Sequence, residues 1–217
     1  MSIDLVFKEA YERVEKETMS KAGPKISTWI NYIDEWINKH TELMQTFLKI
    51  PPTTKEFFIL SEDITQLFLR RGVELFKNLY WILHCVLSGA YHQAIRELRH
   101  SLETMIQAYY FDTNHPQTSI EVKMGILKTL EDIEKYPTEK AIINATNLTQ
   151  NQKDNLKQLY KDLSGYVHPS HTAIQSQYLH VDYNEDLLDK CEDFSKRVMD
   201  AIFELAENWI KTMPPYL

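Results

Sequence analysis

The sequence predicts an all-α protein, built as a bundle of about seven to eight long amphipathic helices. The 217-residue chain contains only five glycines, while leucine, isoleucine, glutamate and lysine are abundant. Such a composition favours helices over folds that need many tight turns. Prolines divide the chain into pieces of helical length. Because no shift in composition separates its halves, we expect one domain over residues 1–217.

Two helices are predicted before residue 50, over residues 2–21 and 26–49, because Pro24 interrupts the pattern. Proline inside a helix removes a backbone hydrogen bond and crowds the preceding turn. The second of these helices carries large side chains at helical spacing, which we interpret as a core face. They are Trp29, Ile33, Trp36, Ile37, His40, Met44, Phe47 and Leu48.

A capping box at Thr53 and Glu56 predicts a short helix, and Ser61 is a candidate cap for a helix over residues 62–88. That helix is apolar on most of its circumference, so we expect it to be central. Its longest apolar run, residues 79–87, is too short to cross a bilayer of about 30 Å. The run is therefore predicted to be buried in protein rather than in a membrane.

Gly89 permits a tight break, after which a helix is predicted over residues 90–112. Its inner face is formed by apolar residues spaced three or four apart. They are Ile95, Leu98, Leu102, Met105, Ile106 and Tyr109.

The second half of the chain predicts helices over residues 119–136 and 138–147. Thr149 and Gln152 form another possible capping box, for a helix that ends near His168. Residues 169–183 show no clear period, and Asn184 is a candidate cap for the last helix. The apolar face of that helix comprises Leu187, Cys191, Phe194, Val198, Ala201, Leu205 and Trp209.

Net charge and cysteine content limit the kinds of protein that this chain can be. A formal net charge of -7 argues against a protein that coats nucleic acid through a general positive field. Cys85 and Cys191 both lie in apolar helical patterns, which predicts free buried thiols and a reducing compartment. The amino terminus has no apolar signal region, so a cytoplasmic location is expected.

A polar stripe borders the apolar face of the helix over residues 90–112. His92, Arg96, Arg99 and Glu103 recur at three or four residues and therefore share one side of the helix. One interpretation is a structural network of ion pairs that fixes helix packing. The other is a ligand-binding anion pocket, because guanidinium groups match phosphate and carboxylate geometry.

A second constellation surrounds His168. Pro169 disfavours helical geometry at His168, which places the imidazole near the carboxyl end of a helix, where the dipole favours its protonated form. Such a histidine can serve as an acid-base group, with Ser164 one turn earlier as a ligand-binding hydroxyl. The alternative is a histidine that bonds the free carbonyls of the helix end. His168, His171 and His180 could supply zinc ligands, but the unpatterned segment gives no sign that they converge, so we predict no metal site. Glycine-rich phosphate loops are absent from the sequence, so no cofactor is predicted either.

The two constellations, over about residues 75–170, resemble uncharacterised helical proteins related to the HEPN superfamily. The resemblance rests on residues 95–103 and on Leu159-Tyr-Lys-Asp-Leu-Ser-Gly-Tyr-Val-His-Pro-Ser170. It implies a helical bundle, frequent dimerisation, and roles in RNA cleavage, antiviral defence or toxin-antitoxin pairs. His168 matches the motif histidine. The candidate positions for the arginine of catalytic members hold Lys161, Asp162 and Leu163, of which only Lys161, at the longest permitted spacing, is a cation.

The leading functional hypothesis is a HEPN-like homodimer, without catalytic activity or weakly catalytic, that binds an anionic ligand such as RNA or a nucleotide. Arg96, Arg99, Glu103 and Ser164 are its candidate ligand-binding residues. A second hypothesis is a metal-independent endoribonuclease, with His168 as acid-base group and Lys161 as phosphate clamp. A third is a structural or adaptor protein that binds another protein. We also expect Arg96, Arg99 and Glu103 to lie near His168, because both helices have apolar faces that must pack.

Overall fold

The computed structural model describes residues 3–49, 66–133, 137–145, 147–167 and 182–213. Within these ranges the chain forms seven helices and no β-strand. The helices are α1 (Ile3–Leu48), α2 (Leu67–Leu87), α3 (Tyr91–Asn114), α4 (Ile120–Ile133), α5 (Pro137–Asn144), α6 (Gln150–Val167) and α7 (Glu185–Thr212). The predicted all-α bundle is confirmed, and no described helix is long and apolar enough to span a membrane.

Helix α1 corrects the prediction of two helices separated at Pro24. The structure has one helix of 46 residues with Pro24 inside it. Pro24 and Ser20 are both exposed, so solvent can reach the Ser20 carbonyl that proline leaves without its helical donor. The buried positions continue across the proline at spacings of three and four, through Ala22, Ile26 and Trp29. Continuous burial of this face therefore outweighs the cost of one solvent-facing proline.

Helix α3 lies at the centre of the bundle and packs against α2, α5, α6 and α7. All six of its predicted inner-face residues are buried. Helix α1 packs on the outside, against α2 and α7. The expectation that α2 is central is therefore corrected, because α3 occupies that position and α2 keeps an exposed side at Tyr80 and Trp81.

The turn between α2 and α3 depends on Gly89. Its φ is +75°, in the left-handed region that favours glycine. A β-carbon there would lie 3.0 Å from Val14 Cγ1 and 3.3 Å from the Asp182 carbonyl oxygen. The predicted tight break is confirmed, and the missing side chain also lets α1 approach the turn closely.

Two of the predicted helix caps are present. The Asn184 side chain accepts a hydrogen bond of 2.9 Å from the Leu187 amide at the start of α7. Thr149 and Gln152 bond reciprocally at the start of α6, at 3.3 and 2.8 Å. The predicted capping box at residues 53–56 and the cap at Ser61 lie outside the described residues.

Helix α2 begins without a side-chain cap from its own N-cap residue. Instead, the buried carboxylate of Asp112 on α3 accepts the amides of Leu67 and Phe68, at 3.0 and 2.9 Å. Asp112 also accepts bonds from Lys123 Nζ of α4, at 2.8 Å, and from Trp209 Nε1 of α7, at 3.1 Å. These five residues, the Asp112 cluster, join four helices in the interior. No pattern in the sequence pointed to Asp112 or Lys123.

Both cysteines are free and buried, as predicted. Burial raises the pKa of the Cys85 thiol to about 11 and that of Cys191 further still. Desolvation disfavours the thiolate, so both side chains act as small apolar groups in the core.

His40 is a second buried titratable group, in the core face predicted for this part of α1. Its ring is 2% exposed, stacks on Trp36 with centroids 4.8 Å apart, and meets the edge of Phe76 at 5.7 Å. Burial lowers the pKa of His40 from 6.5 to about 4. The imidazole is therefore neutral in the folded protein at pH 7.

The protein should become less stable as the pH is lowered, because His40 is buried in its neutral form. Because its folded-state pKa is lowered, the unfolded chain binds the proton first, and stability present above pH 6.5 is lost as the pH falls towards 4. We expect a loss that approaches about 3 kcal/mol near the lower pKa. Urea unfolding at several pH values should show that His40→Phe removes this dependence, whereas His100→Gln, at an exposed histidine, keeps it. Parallel pH profiles for wild type and His40→Phe would contradict the assignment.

Candidate functional site

The predicted polar stripe on α3 separates into an exposed part and a part that faces α6. Arg96 is exposed, whereas Arg99 and Glu103 are half-buried. Arg99 Nη2 donates a hydrogen bond of 2.8 Å to the Tyr160 hydroxyl, and its guanidinium lies over the Tyr160 ring at 5.0 Å. The structure thus brings two of the predicted ligand-binding residues to one tyrosine of α6.

Hydrogen bonds extend this contact into a chain that joins α3, α5 and α6. The Tyr160 hydroxyl donates to Glu103 Oε1 at 3.2 Å, and the Thr138 hydroxyl donates to the same oxygen at 2.9 Å. Gln107 Nε2 in turn donates to the Thr138 hydroxyl at 3.2 Å. We call Arg99, Tyr160, Glu103, Thr138 and Gln107 the α3–α6 network. Its geometry favours the structural interpretation of the stripe, because the side chains satisfy one another.

Part of the stripe still has capacity for an anion. Arg99 Nε is a buried atom without a hydrogen-bond partner among the described residues. Arg96, one turn away, presents an exposed guanidinium. Burial, and then the charge of Arg96, lower the pKa of His92. Two guanidinium groups on one edge of α3 therefore remain candidates for a negatively charged ligand.

The second constellation is described only up to the end of α6. Lys161 is exposed, and the Ser164 hydroxyl donates 2.7 Å to the Tyr160 carbonyl, a bond within its own helix. His168, the predicted acid-base residue, lies outside the described residues. Its expected closeness to the α3 stripe thus stays a prediction. The packing behind that expectation is present, since α6 buries Leu156, Leu159 and Leu163 and packs against α3.

Sequence reasoning missed three members of the α3–α6 network. Gln107 continues the stripe four residues beyond Glu103, and that spacing was a usable signal. Tyr160 falls on the buried face of α6 between Leu156 and Leu163, where a hydroxyl needs a partner. Thr138 had no comparable signal, because its position depends on how α5 crosses α3.

A cleft of about 510 Å³ lies between α1 and the turn that joins α2 to α3. Helix α1 contributes Tyr11, Glu12 and Glu15, while α2 contributes Trp81 and α3 contributes Gln93. Trp81 is 49% exposed and Tyr11 is 44% exposed. The α1–α2 cleft therefore presents two large aromatic side chains to solvent beside two carboxylates.

The floor of the α1–α2 cleft is largely apolar. Cys85, Leu87 and Ala90 line it, and the Trp81 ring packs against His84 at a centroid distance of 5.3 Å. Gln93 donates a bond of 2.6 Å to Glu97, whose negative charge adds to burial in raising the pKa of Cys85.

The exposure of Trp81 corrects a prediction. The apolar run over residues 79–87 was expected to be buried, yet Tyr80, Trp81 and His84 are exposed. Residues 79, 82, 83 and 86 of the same run are buried, so the run is amphipathic in space. The sequence pattern did not show this amphipathic character, because tryptophan and tyrosine were counted as apolar. Both have a polar group beside their apolar ring, so one side of the ring can face solvent.

Among the described residues, no group of three or more histidine, cysteine, aspartate or glutamate side chains could hold a metal ion. Comparison of the sequence with family models and curated proteins, and of the structure with solved structures, gave no match. The resemblance to the HEPN superfamily thus rests on the two sequence motifs.

Tyr160→Phe tests whether the α3–α6 network holds the helices together. The change removes the hydroxyl that accepts from Arg99 and donates to Glu103, so we expect a loss of about 1–2 kcal/mol in the free energy of unfolding. Tyr166→Phe, on the same helix, removes a hydroxyl from a ring that packs on Phe194 and should cost less than about 0.5 kcal/mol. Urea unfolding measures both. Equal stabilities for the two variants would argue against a structural role for the Tyr160 hydroxyl.

Proposed function

We propose that this chain is a ligand-binding protein and that its ligand occupies the α1–α2 cleft. The observation that carries the proposal is the pair of half-exposed aromatic side chains, Trp81 and Tyr11, which line one cleft of about 510 Å³. Clefts of about 300–1,000 Å³ that combine apolar walls with a few polar groups are typical small-molecule sites. Such pockets are lined predominantly by hydrophobic and aromatic side chains.

The contrast with the α3–α6 network supports this choice. There, Glu103 accepts two hydroxyl donors and Arg99 stacks on Tyr160, so the polar groups serve each other. In the cleft, the aromatic rings and Glu15 face solvent. Exposed groups of this kind contribute little to folding and are available to a ligand.

Binding of RNA or a nucleotide at Arg96 and Arg99 is the second candidate, favoured by the exposed Arg96 and the buried Arg99 Nε. Endoribonuclease activity through His168 and Lys161 is a further hypothesis from the sequence, as are an adaptor role, a homodimer and a cytoplasmic location.

Mass spectrometry of molecules retained after native purification tests the proposal. We expect wild type to retain a small molecule after purification. The amount retained by Trp81→Ala should be lower by about tenfold or more, because the substitution removes an aromatic wall of the cleft. Tyr80→Ala is the matched control: this neighbouring tyrosine is 54% exposed and does not line the cleft.

Equal retention by wild type and Trp81→Ala would contradict the proposal. Nucleic acid retained by wild type and by Trp81→Ala, but lost from Arg96→Ala, would support the second candidate instead.

A further inference from the structure

We infer that the ligand of the α1–α2 cleft is a small organic ammonium cation. The inference rests on the proposed function, namely that this cleft is a binding site. It follows from the charge of the lining, from the aromatic walls and from the size of the cleft.

The charge of the described lining residues favours a cation over an anion. Glu12 and Glu15 lie at the cleft, and Glu97 lies beside it through its bond to Gln93. Among the described lining residues there is neither lysine nor arginine. The whole chain carries a formal net charge of -7, which adds to the negative potential. A cation gains from this arrangement, whereas a phosphate or carboxylate is repelled.

The Glu15 carboxylate is the clearest source of negative charge at the cleft. Within the described part of the chain, no hydrogen bond or ion pair engages its carboxylate. By contrast, nearby Glu17 on the same helix is paired with Lys21 at 2.6 Å. The charge of Glu15 is therefore available to a ligand in the cleft. Glu15 lies on the same face of α1 as Tyr11, which is one turn earlier.

The aromatic walls indicate an organic cation rather than a metal ion. The negative face of an indole or phenol ring attracts a cation within about 6 Å of its centroid, and tryptophan does so most strongly. Alkylated ammonium groups suit such sites, because their carbon surface also packs against apolar walls such as Leu87 and Ala90. A hydrated metal ion would use neither feature.

The size of the cleft indicates a free small molecule rather than the side chain of a partner protein. A volume of about 510 Å³ can enclose a whole small ligand. A protein partner that inserts one side chain into the cleft would also have to bury a broad surface around it to form a stable interface.

Choline and its uncharged carbon isostere, dimethylbutanol, are matched probes that differ only in charge. We expect a low-salt NMR titration, followed on the Ser88 and Gln93 amides, to show choline binding at least about tenfold more tightly than the isostere. Trp81→Ala should abolish saturable choline binding, and Glu15→Gln should weaken it about threefold or more. Glu42→Gln should leave it unchanged, because that exposed glutamate is about 40 Å further along α1.

Equal affinity for both probes would overturn the cation assignment while leaving the cleft as a binding site. No saturable binding of either probe would also overturn it, and the retained-molecule experiment with Trp81→Ala then decides separately whether the cleft binds any ligand. A trimethyllysine peptide that binds more tightly than choline would overturn the assignment to a free small molecule.

Discussion

The Asp112 carboxylate is the interaction on which the rest of the bundle depends. It is fully buried and accepts hydrogen bonds from two amides at the start of α2, from Lys123 of α4 and from Trp209 of α7. A buried charge is tolerated only when it is paired and hydrogen-bonded. The amino end of α2 and the Lys123 ammonium supply that compensation. One side chain of the central helix thereby bonds to the start of α2, to α4 and to α7.

Polar residues on α3 repeat this role at a second place. Glu103 accepts from Tyr160 and Thr138, so it ties α6 and α5 to the same central helix. Buried polar groups that satisfy one another rigidify a bundle and specify one arrangement of its helices. The proposed ligand site, the cleft in which Trp81 and Glu15 are exposed to solvent, shares no lining residue with either of these polar clusters.

Apolar periodicity and short-range caps were sufficient to predict the helices, because both depend on residues close in sequence. The inner face of α3 and the Asn184 cap are examples. The sequence did not reveal the continuity of α1 through Pro24, since its energetic benefit comes from a face buried by other helices. Nor did it reveal the Asp112 cluster, whose members lie on four helices and meet only through the crossing geometry. The exposure of Trp81 could not be predicted, because helical spacing shows which residues share a face of a helix but not whether another helix packs on that face.

The free energy of unfolding of Asp112→Asn, measured in urea, tests the central role of Asp112 most directly. The substitution keeps the shape of the side chain but removes the charge that faces Lys123 and the start of α2. We expect a loss of about 3–5 kcal/mol, or no cooperative unfolding at all. Asp34→Asn, at an exposed aspartate of α1, should change stability by less than about 0.5 kcal/mol. An Asp112→Asn protein within about 1 kcal/mol of wild type would contradict the claim that this carboxylate organises the bundle.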